Sequence, residues 1–515
     1  MAQTIFGTGT QVVGASYSGS YYSSGIYSNG DALSPTATPG DTGVILSTGQ
    51  VRSFTNSWGQ SNQSNSTSTN TGGANNISDF NAIAGTSTYD ASYLDIQFIP
   101  DGDVMTIQFV FSSDEYPEYS ASIYNDFFGV WVNGEHVPLS VTEGPTQVGG
   151  VNQSDNTNLY HSNTNDQYNT EMDGFTVSMT LTMPVNSGEV NSIRIAIADV
   201  SDSSYDSNVL IAAGSVQTAL VAIEDEITLQ EGASGTLDVL GNDVNMTGLT
   251  LQITHINGIA VSAGDTVTLG SGQQVTLNAD GTFQIVTDSD HDTVHFTYEV
   301  AAINPAGNIA QTDIGFVSVT TIPCFVAGTM IRTAEGDVPV ETLQPGTLVQ
   351  TVDNGLQPLR WIGRRQVSGL GELAPVRIKA GTFGPHGCLR VSPQHRILVR
   401  DFLAEMLFGE GEVLVKAKDL VNSRSVKRAP CDRVEYVHLL FDRHEVIYSE
   451  GLATESFLPG NQTSEMFDAD VLREICRIFP ELNPKTGEGY GPAARRILKS
   501  YEAEVLFEEL RAQVA

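Results

Sequence analysis

The first 323 residues of this chain contain no cysteine, no lysine and only two arginines, Arg52 and Arg194. They contain 34 acidic residues, so their formal net charge is −32. Such a charge repels phosphate backbones and anionic lipid, which argues against nucleic acid as a partner. Solvated carboxylates keep a β-rich surface soluble, and they are also the oxygen ligands that divalent cations prefer.

Other absences narrow the class of protein. No run of about 18 apolar residues occurs, so no transmembrane segment is predicted. The N-terminus, MAQTIFGTGTQVVG, lacks a basic region and an apolar core, so we expect any export to use a route without an N-terminal signal peptide. The four cysteines show no CxxC spacing, which favours neither zinc nor a disulfide framework.

The composition changes abruptly at Cys324. The remaining 192 residues contain all four cysteines and 23 of the 25 basic residues. The break falls within Pro323-Cys324-Phe325-Val326, which predicts that a separate module begins at Cys324. A thiol on the first residue of a module can attack the peptide bond that joins the module to its neighbour.

The length predicts three or four domains, and hydrophobic patterns predict mainly β structure. In residues 1–215, alternating runs at 94–98, 105–109, 175–179 and 193–197 are typical of a sandwich or jelly roll. Residues 56–76 are almost wholly Ser, Asn, Thr, Gln and Gly, and are predicted to form a long exposed loop.

Residues 219–321 are predicted to form an Ig-like sandwich, with a hairpin turn at 278–281. Residues 324–460 are again strand-rich. Residues 461–515 are predicted to be a helical extension with two helices. One apolar face holds Leu472, Ile475, Cys476 and Phe479, and the other holds Ile497, Tyr501, Val505 and Glu508.

Breaking a backbone amide from within needs an activated thiol, an acid for the leaving nitrogen and donors for the oxyanion. The third module supplies candidate groups. His395 ends the sequence Ser392-Pro393-Gln394-His395, where the hydroxyl can orient the ring or contact the scissile amide. His438 and His444 flank the apolar run 439–441.

Three blocks of this module resemble the Hint module shared by hedgehog C-terminal domains and inteins. They are CFVAGTMIRTAEGDVPVETLQPGTLVQTVDNG, SPQHRIL and YVHLLFDRHEVIYSEG, within residues 323–460. The resemblance implies an all-β horseshoe-like fold and a cofactor-free N-to-S acyl shift at Pro323–Cys324. By position it implies that Cys324 is the nucleophile, that Ser392 and His395 stand for a Thr-x-x-His pair, and that His444 is the late-block histidine. His438 stands where many inteins have aspartate, so its role stays open.

Departures from the family's sequence pattern restrict which reaction the module is expected to catalyse. Splicing inteins end in His-Asn before a nucleophile, whereas this chain reads Pro459-Gly460-Asn461-Gln462 and continues, so splicing is not expected. The hedgehog acid that activates a sterol has no counterpart in residues 361–365. Cleavage, or transfer to an unidentified amine or alcohol, remains. The alternative is an adhesion or surface-structure protein that keeps an inactive Hint scaffold.

Residues 109–119, 125–130 and 197–207 resemble the choice-of-anchor L domain of bacterial surface and secreted proteins. Carboxylates there fall at predicted strand ends, where they either bind Ca²⁺ or simply form solvated turns. They are Asp114, Glu115, Asp126, Asp199, Asp202 and Asp206. The middle unit is similar to cadherin-like repeats of bacterial adhesins. These resemblances imply an extracellular or cell-surface location and a surface or matrix ligand; carbohydrate binding, through Trp58 or Trp131, rests on fold analogy alone.

Overall fold

The computed structural model describes residues 1–55, 63–120, 122–142, 145–229, 234–287, 294–321, 324–369, 374–422, 424–458, 479, 490–498, 502–503 and 505–507. Most regular structure in these ranges is strand, which confirms the mainly β prediction. Four short α-helices lie wholly within them: α1 (Ala2–Ile5), α2 (Gly30–Leu33), α3 (Ser78–Ala84) and α4 (Phe402–Phe408). None of the helices that these ranges contain is long and apolar enough to span a membrane.

Thirteen strands build the first unit. They are β1 (Thr10–Ser18), β2 (Ser24–Ser28), β3 (Thr42–Ser47), β4 (Thr88–Pro100), β5 (Val104–Ser113), β6 (Phe127–Val132), β7 (Glu135–Val137), β8 (Thr146–Gln147), β9 (Tyr160–Ser162), β10 (Gly174–Thr176), β11 (Met179–Pro184), β12 (Asn191–Val200) and β13 (Ser207–Ala212). One sheet has the order β1-β4-β12-β6-β7, with β8 beside β6. The other has the order β2-β3-β13-β5-β10-β9, with β11 beside β5.

The alternation predicted from sequence produces the core of this sandwich. Leu94 and Ile96 of β4 pair with Ile195 and Ile193 of β12, and all four side chains are buried in one cluster with Phe109 from the second sheet. The predicted strand at 175–179 is wrong in one respect, because it is interrupted. Both β10 and β11 pair with β5, one near each end, and the chain passes from one pairing to the next between residues 176 and 179.

Eleven strands build the second unit. They are β14 (Leu220–Val221), β15 (Asp225–Leu229), β16 (Ser234–Leu237), β17 (Val244–Asn245), β18 (Thr250–Ile256), β19 (Ile259–Ala260), β20 (Thr266–Thr268), β21 (Gln274–Leu277), β22 (Phe283–Val286), β23 (Val294–Ile303) and β24 (Ile309–Thr321). Sheets β15-β24-β23-β18-β19 and β16-β22-β21-β20 enclose a separate core, and β17 pairs with β14. The predicted hairpin joins β21 to β22, and Gly281 adopts the left-handed conformation there (φ 88°).

Buried polar contacts join the first two units. Oδ1 of Asp313 in β24 accepts hydrogen bonds from two residues of the first unit, Gln108 Nε2 (3.0 Å) and Thr106 Oγ1 (3.2 Å), while Oδ2 accepts from the Ala222 amide (2.8 Å) of its own unit. Asn158 of the first unit donates to Ser271 Oγ (2.7 Å) of the second. Buried hydrogen bonds have specific geometry, so they fix the contact between the units.

Fifteen strands build the third unit. They are β25 (Phe325–Val326), β26 (Met330–Thr333), β27 (Gly336–Pro339), β28 (Leu348–Gln350), β29 (Leu356–Pro358), β30 (Trp361–Gly369), β31 (Val376–Ile378), β32 (Leu389–Val391), β33 (Arg396–Arg400), β34 (Glu412–Lys416), β35 (Val426–Arg428), β36 (Cys431–Leu440), β37 (Val446–Ser449), β38 (Leu452–Glu455) and β39 (Arg496–Ile497). The sheet β30-β36-β25-β32-β31-β35 packs over a common core with the sheet β29-β28-β26-β37-β38-β33-β34-β39, in which β27 also pairs with β26.

The described residues of the C-terminal extension contribute to this third core. The prediction that Ile497 lies on a helix is wrong. Ile497 belongs to β39, which pairs in parallel with Val413 and Leu414 of β34. That pairing satisfies the hydrogen-bonding groups of an otherwise open strand edge. Residues 502–503 and 505–507 are helical, and Leu498 and Leu506 are fully buried. Of the other predicted helical residues, Leu472, Ile475, Cys476, Tyr501 and Glu508 lie outside the described residues.

Candidate active site at Cys324

Strand pairing places Cys324 between two other strands. Phe325 pairs with Val391 of β32 on one side and with Val437 of β36 on the other. The amide of Ser392, directly after β32, donates to the Cys324 carbonyl oxygen (2.9 Å) and extends this ladder. Cys324 is therefore buried, 5% exposed, with the end of β32 and the middle of β36 as its neighbours.

The two reacting atoms of Cys324 have separate partners. Its amide nitrogen donates a hydrogen bond to Ser392 Oγ (2.7 Å). Its sulfur lies 3.3 Å from Nε2 of His438, whose ring packs edge-on against Phe457 (centroids 5.8 Å apart). With the proton on Nδ1, Nε2 accepts from the thiol. The amide that would leave and the thiol that would attack are thus held independently.

His395 lies on the same turn as Ser392, because its amide donates to the Ser392 carbonyl oxygen (3.1 Å). Its ring is buried against Phe325, with centroids 4.2 Å apart. Neither ring nitrogen has a hydrogen-bond partner in the part of the chain that the structure describes. Burial lowers the pKa of His395 to about 4, against the opposing effect of Glu455 and with a smaller contribution from Arg396, so the ring is neutral at physiological pH.

Both ring nitrogens of His444 are occupied. Nδ1 accepts from the Ala494 amide (3.0 Å), and Nε2 lies 3.2 Å from the Ser456 carbonyl oxygen. This pattern fixes the neutral tautomer with its proton on Nε2. Neither nitrogen has a lone pair left to act as a base.

Sequence reasoning did not identify Glu455, a fully buried carboxylate beside the histidines. It accepts from the Arg396 amide (2.8 Å) and from Arg396 Nη1 (2.8 Å), and His444 Nε2 is 3.5 Å away. Burial raises the pKa of Glu455, but Arg396 and His444 outweigh burial and hold it at about 2. The one signal in the sequence is an acid within the apolar stretch 452–458.

The acidic residues of the first unit hold a Ser/Thr/Asn-rich segment. Backbone amides of alternate residues donate to three buried aspartates. Thr67 donates to Asp114, Thr69 to Asp206 (2.6 Å), and both Thr71 and Gly73 to Asp90 (3.1 and 2.9 Å). Residues 63–76 therefore form a loop, as predicted, but one tied to the sandwich by carboxylates rather than extending freely into solvent.

A second group of carboxylates lies beside this one. Asp126 accepts from the Val200 amide (3.0 Å) and Ser207 Oγ (2.7 Å), and Glu115 accepts from the Asp126 amide (3.1 Å). Burial and neighbouring acids raise the pKa of Asp114 to about 8 and that of Glu115 to about 10. Burial also raises the pKa of Asp206, to about 6, and that of Asp126 and Asp199 well above their usual range, while Asp202 is half-buried.

No three His, Cys, Asp or Glu side chains of the described residues are arranged to hold a metal ion. Within the part of the unit that the structure describes, none of these buried acids forms an ion pair, and Arg194 pairs with Asp95 and Asp79 instead. The Ca²⁺ site therefore stays a prediction from the sequence.

Two packed β-sandwiches followed by a two-sheet β module with a buried Cys-His pair define a multidomain β protein. Family matches name its parts: a Choice-of-anchor L domain at residues 2–217, a bacterial Ig domain at 217–320 and a Hint domain at 323–461. The chain therefore contains regions that match Choice-of-anchor L, bacterial Ig and Hint domains, in that order.

Three of the solved structures similar to part of the chain are inteins or an intein-like domain. Each aligns with 26% of this chain. A GSH-linked, splice-inactive variant of the AceL NrdHF class 3 split intein shows 15% identity over 97% of its length (TM-score 0.20). The gp41-1 intein shows 12% over 97% (0.17), and a bacterial intein-like domain from Clostridium thermocellum shows 19% over 98% (0.18). No curated protein matches the chain, so the Hint assignment rests on the family match.

Proposed function

We propose that the Hint domain processes its own chain, with Cys324 catalysing an N-to-S acyl shift at the Pro323–Cys324 bond. The observation that carries this proposal is the double restraint on Cys324, whose amide nitrogen contacts Ser392 and whose sulfur contacts His438. Pro323 itself lies outside the described residues.

In the proposed reaction His438 takes the thiol proton, and the Cys324 sulfur adds to the carbonyl carbon of Pro323. The resulting tetrahedral intermediate collapses by breaking the C–N bond. This leaves a thioester on sulfur, and the nitrogen takes up the proton that the thiol released to His438 and so becomes the free amine of Cys324. We propose that Ser392 and His395 act at the leaving nitrogen of Cys324. The Ser392 hydroxyl oxygen already accepts a hydrogen bond from that N–H, and neutral His395 belongs to the same turn as Ser392.

Water, or an amine or alcohol, then opens the thioester at the Pro323 carbonyl carbon and regenerates the thiol. The released portion carries the Choice-of-anchor L and Ig domains. We infer hydrolysis or transfer rather than splicing, because the His-Asn ending that splicing requires is absent from the sequence at 459–462. The Choice-of-anchor L match supports an extracellular or cell-surface location for this product.

Denaturing electrophoresis of the full-length protein tests the proposal. Cleavage of this 55.1 kDa, 515-residue chain before Cys324 gives fragments of about 35 and 21 kDa in proportion to length. Hydroxylamine, which attacks thioesters, increases their yield. Mass spectrometry identifies Cys324 as the new N-terminus.

Cys324→Ala abolishes both fragments, whereas Cys388→Ala, a change at an exposed free cysteine of the same domain, leaves them unchanged. Identical fragments from Cys324→Ala would overturn the mechanism. A folded chain that stays intact in hydroxylamine would instead favour the adhesion protein with an inactive Hint scaffold.

A further inference from the structure

Three tyrosines meet at one end of the first sandwich, on the loop that follows β5 and on the loop between β12 and β13. Tyr119 is common to two ring contacts. Its centroid lies 5.8 Å from that of Tyr124, with the rings nearly perpendicular (87°), and 5.3 Å from that of Tyr205, with the rings tilted by 48°. All three residues are partly exposed, so the cluster lies at the surface and does not fill the core.

The backbone holds Tyr205 in an unusual conformation. Its φ is 64° and that of Ser201 is 72°, in the left-handed region that bulky residues rarely adopt. Hydrogen bonds on both sides hold this loop: the Tyr205 amide donates to Ser68 Oγ (3.1 Å) and the Asp206 amide to the Thr67 carbonyl oxygen (2.7 Å). Such strain concentrates at ligand sites, and here it places the Tyr205 ring against Tyr119.

The charge around the cluster is negative. Glu118 is exposed, Asp202 is half-buried, and both interact electrostatically with Tyr119. Of the two arginines in the first 323 residues, Arg194 is paired with Asp95 (2.7 Å) and Asp79 (3.4 Å). An anionic ligand is therefore repelled, whereas a cation gains from the carboxylates and from the negative faces of the rings.

We propose that Tyr119, Tyr124 and Tyr205, with Glu118 and Asp202, bind an organic cation of the quaternary or methylated ammonium class. Methyl groups on such a cation spread the charge over an apolar surface that packs on aromatic faces, and its weak hydration lowers the cost of leaving water. The site lies in the Choice-of-anchor L domain, so it is independent of the chemistry proposed at Cys324.

Binding of choline to the full-length Cys324→Ala protein, followed by NMR or calorimetry, tests the site without interference from processing. The probe's neutral isostere, 3,3-dimethylbutan-1-ol, has the same shape without the charge. We expect choline to bind about tenfold or more tightly than the isostere, and to weaken as salt rises from low to physiological concentration, because Glu118 is exposed.

Tyr205→Leu and Tyr124→Leu should each weaken choline binding about two- to fivefold, as expected for loss of one exposed cation–π contact. Tyr21→Leu is the matched control, since Tyr21 is 87% exposed and stacks edge-on with Tyr22 in another ring pair. If Tyr205→Leu fails to fold, Glu118→Gln, at an exposed position, should still weaken binding. Equal affinity for choline and its isostere, wild-type affinity in these variants, or displacement of choline by a neutral hexose would overturn the proposal.

Discussion

Nε2 of His438 lies 3.3 Å from the sulfur of Cys324, while Ser392 Oγ lies 2.7 Å from the nitrogen of the same residue. The thiol of this cysteine is thus contacted by a residue of β36, and its amide by the residue that follows β32. Activation of the nucleophile and protonation of the leaving group can therefore be separated by mutation.

We expect His438→Gln to slow cleavage by about 10²- to 10⁴-fold, the usual contribution of a general base. The same variant should slow alkylation of Cys324 by iodoacetamide, measured by mass spectrometry of the cysteine peptides. His386→Gln, in the same domain, is the control and should cleave normally. Unchanged alkylation in His438→Gln would show that this imidazole does not activate the thiol.

Ser392→Ala should both slow cleavage and destabilise the domain by about 1–3 kcal/mol, because it leaves the buried Cys324 amide without an acceptor. Urea denaturation measures the free energy of unfolding, and electrophoresis measures the rate. Ser392→Thr keeps the hydroxyl and should restore cleavage to near the wild-type rate. A Thr variant as inactive as the Ala variant would contradict the role of the hydroxyl.

Glu455→Gln should destabilise the Hint domain by about 3–5 kcal/mol at pH 7, because it leaves the Arg396 charge with a buried neutral partner. The folded-state pKa of Glu455, about 2, is lower than the usual value of 4.5. Its contribution to stability is therefore present above about pH 4.5 and is lost as the pH falls towards 2.

Calorimetry from pH 7 to pH 3 should show a smaller loss of stability in Glu455→Gln than in the wild type. Arg400→Gln is the control, because Arg400 pairs with Glu412 at an exposed position and should have little effect. Equal pH dependence in wild type and Glu455→Gln would contradict the buried ion pair.

The buried acids of the first domain predict the opposite dependence. Their folded-state pKa values are raised, to about 8 for Asp114 and about 10 for Glu115. Their stabilising contribution is therefore complete below the usual carboxyl pKa and is lost as the pH rises towards those values. Thermal melts should show a fall in Tm between pH 5 and pH 9. The isosteric Glu115→Gln should reduce that fall, whereas Glu135→Gln, at an exposed position, should not.

Calcium gives a related test of the sequence-based metal prediction. If Ca²⁺ neutralises the carboxylates Asp114, Asp126 and Asp199, adding it should raise Tm at pH 8 and have little effect at pH 5, where protons already do so. EDTA should reverse the shift. The absence of any shift at pH 8 would contradict the calcium site.

Local patterns in the sequence predicted much of this structure. Alternating residues such as Leu94 and Ile96 define which face of β4 is buried, and the spacing from Ser392 to His395 allows both residues to belong to one turn. The contact between His438 and Cys324 could not be predicted in this way. It depends on the register of β36 against β25, which is set by pairings between residues more than one hundred positions apart.

Glu455 and Ile497 also show what local sequence patterns cannot predict. An acid in an apolar run normally indicates an exposed position, and Glu455 is buried only because Arg396 from another strand neutralises it. The helical spacing of Ile497 is real in the sequence, but the free edge of β34 offers more backbone hydrogen bonds than a frayed helix start. In both residues, tertiary contacts override the local preference.

The segment that supplies β39 also bears on the expected order of folding during synthesis. Leu498 and Leu506 fill the core of the Hint domain, and the Ala494 amide fixes the ring of His444. Domains at the N-terminus fold first as the ribosome extends the chain. We therefore expect both sandwiches to fold before the Hint domain is complete. Any cut at Pro323–Cys324 would come after residues 490–507 have left the ribosome, so it would act on domains that are already folded.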